Sequence, residues 1–349
     1  MTTRAAPLKA LIMYFSLSIS SVNAQDTSVP IDSFVQECIS LTISQKYDSA
    51  EAICKKIQTI DKHNPIGYLL LAATIQSKMM DYETDRWENA FHENIDKTIA
   101  LCRHRLSQNR LDAWSHFCLG SAFCYKSFYL GKQHHLFQSL KFATRGIKEL
   151  NQAVKLDSTM YDAYFAIGTY KYWKSRKIQF LTWLPFIKDE RKTGIMMIQR
   201  TIEQGKFSKY AALNGLSWIY LDAGRIEDAI SAAMSGLRDF PGSRFFLWCV
   251  ADSYFKKQDY ENAQVYYQKI LDSILTEPHN NHYNEILSRQ KLAACFHFMG
   301  HYEASINQCD IISSLSLDDK IIKRAQKHLE NIEKIREANE NALKHSLAN

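Results

Sequence analysis

Glycine and proline are scarce in this 349-residue chain, at 12 and 6. Little of it alternates apolar and polar residues at strand length, so sheet-based folds are disfavoured and the chain reads as all-helical. Catalytic signatures are missing too. There is no glycine-rich phosphate loop, no nucleophile elbow and no zinc-protease helix motif. No general acid and base are set in matched surroundings. Helical pairs such as Glu330 with Lys334 read as solvated i to i+4 partners. An enzyme is therefore not expected, nor is a cofactor. Strong charge of one sign is absent, since the net charge is +6 with 23% charged residues, and this argues against nucleic acid as a partner. No CxxC pair occurs among the eight cysteines, so a dense disulfide framework is not expected either.

What is present begins with a leader. Arg4 and Lys9 precede the apolar run Ala10 to Ile19, and Val22-Asn23-Ala24 is a small-residue cleavage site. Together they read as a secretory signal over residues 1–24, with the mature chain starting at Gln25 and delivered to the periplasm or beyond the cell. The run is too short to span a bilayer as a stable helix. Cys38, Cys54 and Cys309 fall on buried positions, where cysteine serves as a small hydrophobe. Cys118, Cys124, Cys249 and Cys295 lie in predicted helices. The cysteines are expected to be mostly free and structural, and Cys38 with Cys54, on facing helices of one unit, is the pair to test for a bridge.

The segment from Tyr210 to Pro278 contains two stretches that superpose at a shift of 34 residues, Tyr220 on Tyr254 and Ala229 on Ala263. Each reads as an apolar-periodic helix, a turn, a second such helix and a break. Leu213, Leu216 and Tyr220 share one helical face. Gly224 suits a helix C-terminus at positive φ, and Pro241 stops the chain before the next unit. A helix-pair period of 34 is the mark of a tetratricopeptide repeat. The chain resembles that family through small residues at Ser217, Ala229, Ala251 and Ala263 and proline at Pro241. The resemblance implies an α-α superhelix of about seven helical pairs with a C-terminal capping helix. Residues 25–316 form the repeat array, and residues 317–349 the capping helix and tail. Unit starts fall at Ile31, Pro65, Ala113, Tyr161, Tyr210, Arg244 and Ile286.

The middle units are longer than 34 residues. Gly120 matches Gly168 and Gly146 matches Gly194 at positions where the family has small residues, so the added length lies between the two helices of a unit. Pro185 prevents one unbroken helix across the apolar stretch Ile178 to Ile187. Trp183 to Phe186 followed by Asp189, Arg191 and Gly194 is similar to a set of exported bacterial repeat proteins of unknown function. The last helix, from about Asp318 to Leu343, carries one narrow stripe of Ile321, Ala325, Leu329, Ile332 and Ile335, as a cap should.

In the tetratricopeptide family the first helix of each unit lines the concave groove. Carried over by position, the lining here is Trp114, Phe117, Tyr125, Phe165, Tyr172, Trp173, Trp218, Phe245, Trp248 and Phe255. Aromatics give large contact area at low entropy cost, so the resemblance implies a scaffold or adaptor that holds a protein or peptide. Two arrangements of these rings remain open: a groove gripping a partner, or rings buried as core beneath the long inserts. The residues that would clamp a chaperone's terminal carboxylate are missing, since the relevant positions are Phe117, Phe165, Asn214 and Trp248. A second reading places the protein on a membrane surface through Phe180, Trp183 and Phe186, with Lys177, Lys188 and Arg191 near head groups. His134-His135, His116 with Cys118, and His279 with His282 are the nearest approaches to a metal site. None reaches the four ligands of a structural site, and no metal is expected.

Overall fold

The computed structural model describes residues 31–178 and 188–348. Those residues form fifteen α-helices and no strand. In chain order they make seven helical pairs followed by one long helix. The first pairs are α1 (Ile31–Ile43) with α2 (Tyr47–Ile60), and α3 (Pro65–Asp81) with α4 (Glu88–Gln108). Next come α5 (Ala113–Lys132) with α6 (Leu136–Leu156), and α7 (Ala163–Lys177) with α8 (Arg191–Gln204). Then follow α9 (Lys209–Asp222), α10 (Ile226–Asp239), α11 (Arg244–Lys256) and α12 (Tyr260–Leu275). The last are α13 (Tyr283–Phe298), α14 (Tyr302–Ser314) and α15 (Asp319–Ala348). Every unit start expected from the sequence falls within three residues of an observed helix start. The helices group into two compact units, one of residues 31–80 and 85–222, the other of residues 81–84 and 223–348.

In the first unit the long pairs cross through glycine. A Cβ on Gly120 would lie 2.9 Å from the Gly146 carbonyl oxygen, and one on Gly168 would lie 2.5 Å from that of Gly194. Both are closer than real Cβ contacts come, so backbone meets backbone at each crossing. The expected small residues are therefore where the packing needs them. The added length is handled in two ways. α5 and α6, at 20 and 21 residues, are both extended and meet at a tight turn. α7 and α8 stay short, at 15 and 14, and the extra residues lie between them. α3 is buried on nearly every side, including Lys78, whose ammonium meets Asp48 at 2.7 Å and Glu51 at 3.0 Å. Burial acts to lower the Lys78 pKa, and the two carboxylates outweigh it and leave it raised.

The second unit is closed by α15. Ile321, Ala325 and Ile332 pack on Ile286, Ala293, Cys309 and Ile312, with Leu329 and Ile335 at the margin. All five stripe residues thus face the same neighbours. Gly224 has a φ of +76° with open space around it, which identifies it as a conformational glycine. Arg244 is buried and donates from Nε to Asp81 at 3.0 Å, while its Nη2 also reaches Glu277 at 2.8 Å. The Tyr82 hydroxyl donates to the other oxygen of Glu277 at 2.9 Å.

Candidate protein-binding surfaces

The ten aromatic positions do not form one open lining. Phe117, Tyr125, Phe165, Tyr172 and Trp218 are buried inside the first unit, and Phe245 is buried inside the second. These six are core residues and offer no surface to a partner in this conformation. The reason is visible at Phe165, whose ring occupies the space that a Cβ on Gly215 would need, at 2.6 Å. Tyr172 spends its hydroxyl internally, donating to Asp222 at 2.7 Å, a carboxylate that also accepts from Arg176 Nε at 2.9 Å. Trp114, Trp173, Trp248 and Phe255 are half-buried and keep an accessible edge.

In the first unit Trp173 borders a cavity of about 470 Å³ between α5, α6 and α7. That volume is in the range of ligand pockets, which are mostly apolar. The cavity wall is largely apolar, with Phe128 from α5, Leu136, Leu140 and Ile147 from α6, and Trp173 from α7. The local reason is the double patterning of α6. Gly146, Leu150 and Ala153 lie on its buried side. Leu136, Leu140, Ala143 and Ile147 recur at spacings of three and four and make a second stripe. The outer end of that stripe meets solvent, with Leu136 65%, Leu140 58% and neighbouring Phe137 93% exposed. Lys174 and Lys177 stand at the rim. α7 ends with Lys174, Arg176 and Lys177 in its last turn, so the rim is basic.

In the second unit Trp248 and Phe255 belong to an aromatic ladder. Phe255 lies 5.4 Å from Tyr260 and 6.1 Å from Phe298, and Tyr260 stacks on Phe298 at 4.7 Å. Trp248 meets Tyr267 edge-on at 6.2 Å. The Lys291 ammonium sits 5.1 Å from the Phe255 ring centre and 3.0 Å from the Asp252 carboxylate. Burial, with the nearby Asp252 carboxylate, pushes the Tyr267 phenol well above its ordinary pKa. Phe298 is the exposed end of the ladder. The positional rule that selects Phe255 also selects Phe298 in the next unit, so the sequence carried its signal. Tyr260 stands at a helix start outside that rule.

Phe180, Trp183 and Phe186 lie outside the described residues. Among the described residues no helix is long and apolar enough to cross a membrane, and no three His, Cys, Asp or Glu side chains gather as metal ligands would. His134 and His135 are exposed, and the other histidine candidates have partners of their own. His116 Nδ1 pairs with Glu149 at 2.6 Å, and His282 Nδ1 with Glu285 at 2.9 Å. His279 packs edge-on to Tyr82 at 5.5 Å.

No family model matches the chain, and no curated protein matches it. Solved structures do. The crystal structure of the APC/C hetero-tetramer Cut9–Hcn1 aligns over 90% of this chain and 55% of that one, at TM-score 0.53 and 14% identity. The chain thus spans about half the length of that relative. The C-terminal part of a TPR repeat-containing protein from Cytophaga hutchinsonii covers 83% of this chain and 98% of its own, at TM-score 0.43 and 16% identity. YrrB, described as a TPR protein with an unusual peptide-binding site, covers 66% and 97%, at TM-score 0.37 and 14% identity. At such identities the likeness is one of fold, and the fold is the tetratricopeptide-repeat solenoid.

Proposed function

We propose that this tetratricopeptide-repeat chain is a non-catalytic scaffold of the bacterial cell envelope that holds a protein segment on the α5–α7 surface of its first unit. The observation that carries this reading is the cavity of about 470 Å³, continuous with the exposed Leu136 and Leu140 on α6. An exposed apolar patch beside a cavity of that size is the usual form of an interaction site. The basic rim selects among partners. An apolar segment flanked by Asp or Glu would place its side chains against Phe128, Leu140 and Trp173 and its carboxylates near Lys174 and Lys177. The charge term adds specificity and association rate more than affinity. The signal-like pattern of residues 1–24 supports an envelope location, and N-terminal sequencing of the mature protein checks cleavage before Gln25.

The test is binding to an array of short peptides with apolar cores and either acidic or basic flanks. Peptides with acidic flanks are expected to bind the protein, and those with basic flanks are not. Leu140→Glu puts a charge on an exposed site, so the fold should persist while binding to the acidic set drops at least about tenfold, a loss of about 1.4 kcal/mol. Equal binding of both peptide sets, or unchanged binding by a folded Leu140→Glu protein, would remove the α5–α7 surface from consideration.

A further inference from the structure

The first helical pair holds two thiols face to face. Cys38 on α1 and Cys54 on α2 have their sulfur atoms 3.1 Å apart, and both residues are buried. Hydroxyl and carbonyl groups surround them. The Cys38 thiol is 3.7 Å from the Ala50 carbonyl oxygen and 3.7 Å from Thr74 Oγ1. Thr74 is bonded at 3.1 Å to Thr42 Oγ1, which donates to the Cys38 carbonyl at 2.7 Å. Among the described residues no third His, Cys, Asp or Glu joins the two sulfurs as a metal ligand would. Two facing thiols at this separation can be oxidised to one disulfide.

We propose that Cys38 and Cys54 form a disulfide that staples α1 to α2, made by exchange with a disulfide-bearing oxidant while the chain folds. Cys38 attacks first. The hydrogen bond from the Cys54 thiol outweighs burial and holds Cys38 below the ordinary thiol pKa, whereas burial pushes Cys54 well above it. Cys38 differs in this from Cys124, which burial alone raises to about 12. The Cys38 thiolate forms a bond to one sulfur of the oxidant and expels the other as a thiolate. Cys54 then loses its proton and attacks the Cys38 sulfur of the mixed disulfide, expelling the second thiolate. Two protons and two electrons leave the protein, and the oxidant ends as two thiols. Burial of both sulfurs in the folded unit sets the timing: the oxidant must arrive once α1 and α2 have paired, so that the Cys54 thiol already bonds Cys38, and before α3 packs over them. A bond across this hairpin closes a short loop between the first two described helices. The inference is independent of the protein-binding surface.

The experiment is a cysteine map of the full chain refolded in a glutathione disulfide and glutathione mixture, with a parallel sample in excess reductant. Each is denatured, alkylated with iodoacetamide and digested with trypsin. Lys46 lies between the two cysteines, so trypsin separates them into different peptides. The oxidised sample should give a linked Cys38–Cys54 peptide pair that vanishes in the reduced one, with Cys124 alkylated in both. Cys38→Ser with Cys54→Ser should bring the thermal midpoint in oxidising buffer down to that of the reduced wild-type chain. Full alkylation of both cysteines after oxidative refolding to a helical protein would overturn the proposal. So would Cys38 linked to any other cysteine, or either cysteine left as a glutathione adduct. The same map on wild-type protein exported by a host and purified without reductant reads the bond with no refolding step and no variant.

Discussion

At the N-terminus of α5 a single carboxylate does several jobs. Asp112 accepts from the Ser115 backbone N–H at 3.1 Å and the Ser115 hydroxyl at 2.6 Å, and Arg105 Nε donates to it at 3.2 Å. Burial acts to raise its pKa, and these hydrogen bonds outweigh it and leave it lowered. A lowered folded pKa means that the folded state favours the carboxylate. Its contribution is present above the usual aspartate value of about 3.8 and is lost as pH falls through the folded value. Asp112→Ala should therefore cost about 1 kcal/mol at pH 7, as loss of an N-cap does. The difference between variant and wild type should shrink in acid below about pH 4. Urea titrations of both proteins across pH measure it, and a difference that stays constant into acid would mean that charge plays no part in the cap. This residue was not singled out from the sequence. Its signal was an Asp immediately before an expected helix start at Ala113.

Among the helices, α7 crosses α8 through a close backbone contact. Gly168 and Gly194 each sit against the other's carbonyl. Gly168→Ala has helical propensity in its favour by about 0.5–1 kcal/mol. It nevertheless places a Cβ 2.5 Å from backbone that cannot rotate away. Steric overlap should win, with a net loss of about 1–3 kcal/mol, the usual cost of overpacking, read as a lower urea midpoint. A midpoint equal to or above wild type would show that the two helices can separate at little cost. The pairing of Gly120 with Gly146 and Gly168 with Gly194 was legible because the same small residues recur in successive units. The two outcomes for the added length were less legible. α5 and α6 could lengthen because no proline interrupts residues 113–156, whereas Pro185 lies between α7 and α8.

At the scale of the whole molecule, a repeat array must end on a surface that water tolerates. α15 provides that end for the second unit, burying Ile321, Ala325 and Ile332 while its other faces stay polar. Ile332→Asp puts an unpaired carboxylate at a position that is 1% exposed. The loss should be several kcal/mol from lost burial and charge desolvation together. It should expose the apolar faces of α13 and α14, seen as increased binding of a hydrophobic dye. A variant that unfolds like wild type and binds no extra dye would show that α15 is dispensable as a cap.

The sequence by itself determined the class of fold, the number of helical pairs, their starting points and the capping stripe. These follow from local periodicity, small residues at crossings and breaks between units, all of which are written within a few tens of residues. It could not separate aromatic residues that line a surface from those that fill the core. Trp173 and Tyr172 are adjacent in the chain and both satisfy the groove rule, yet one edge meets a cavity and the other ring is enclosed. Position along one helix fixes the direction in which a side chain leaves it. What stands in that direction depends on the length and tilt of the neighbouring helices, and these are set only when the units pack. The same packing put Leu136 and Leu140 on an exposed second stripe of α6 and brought the sulfurs of Cys38 and Cys54 to 3.1 Å.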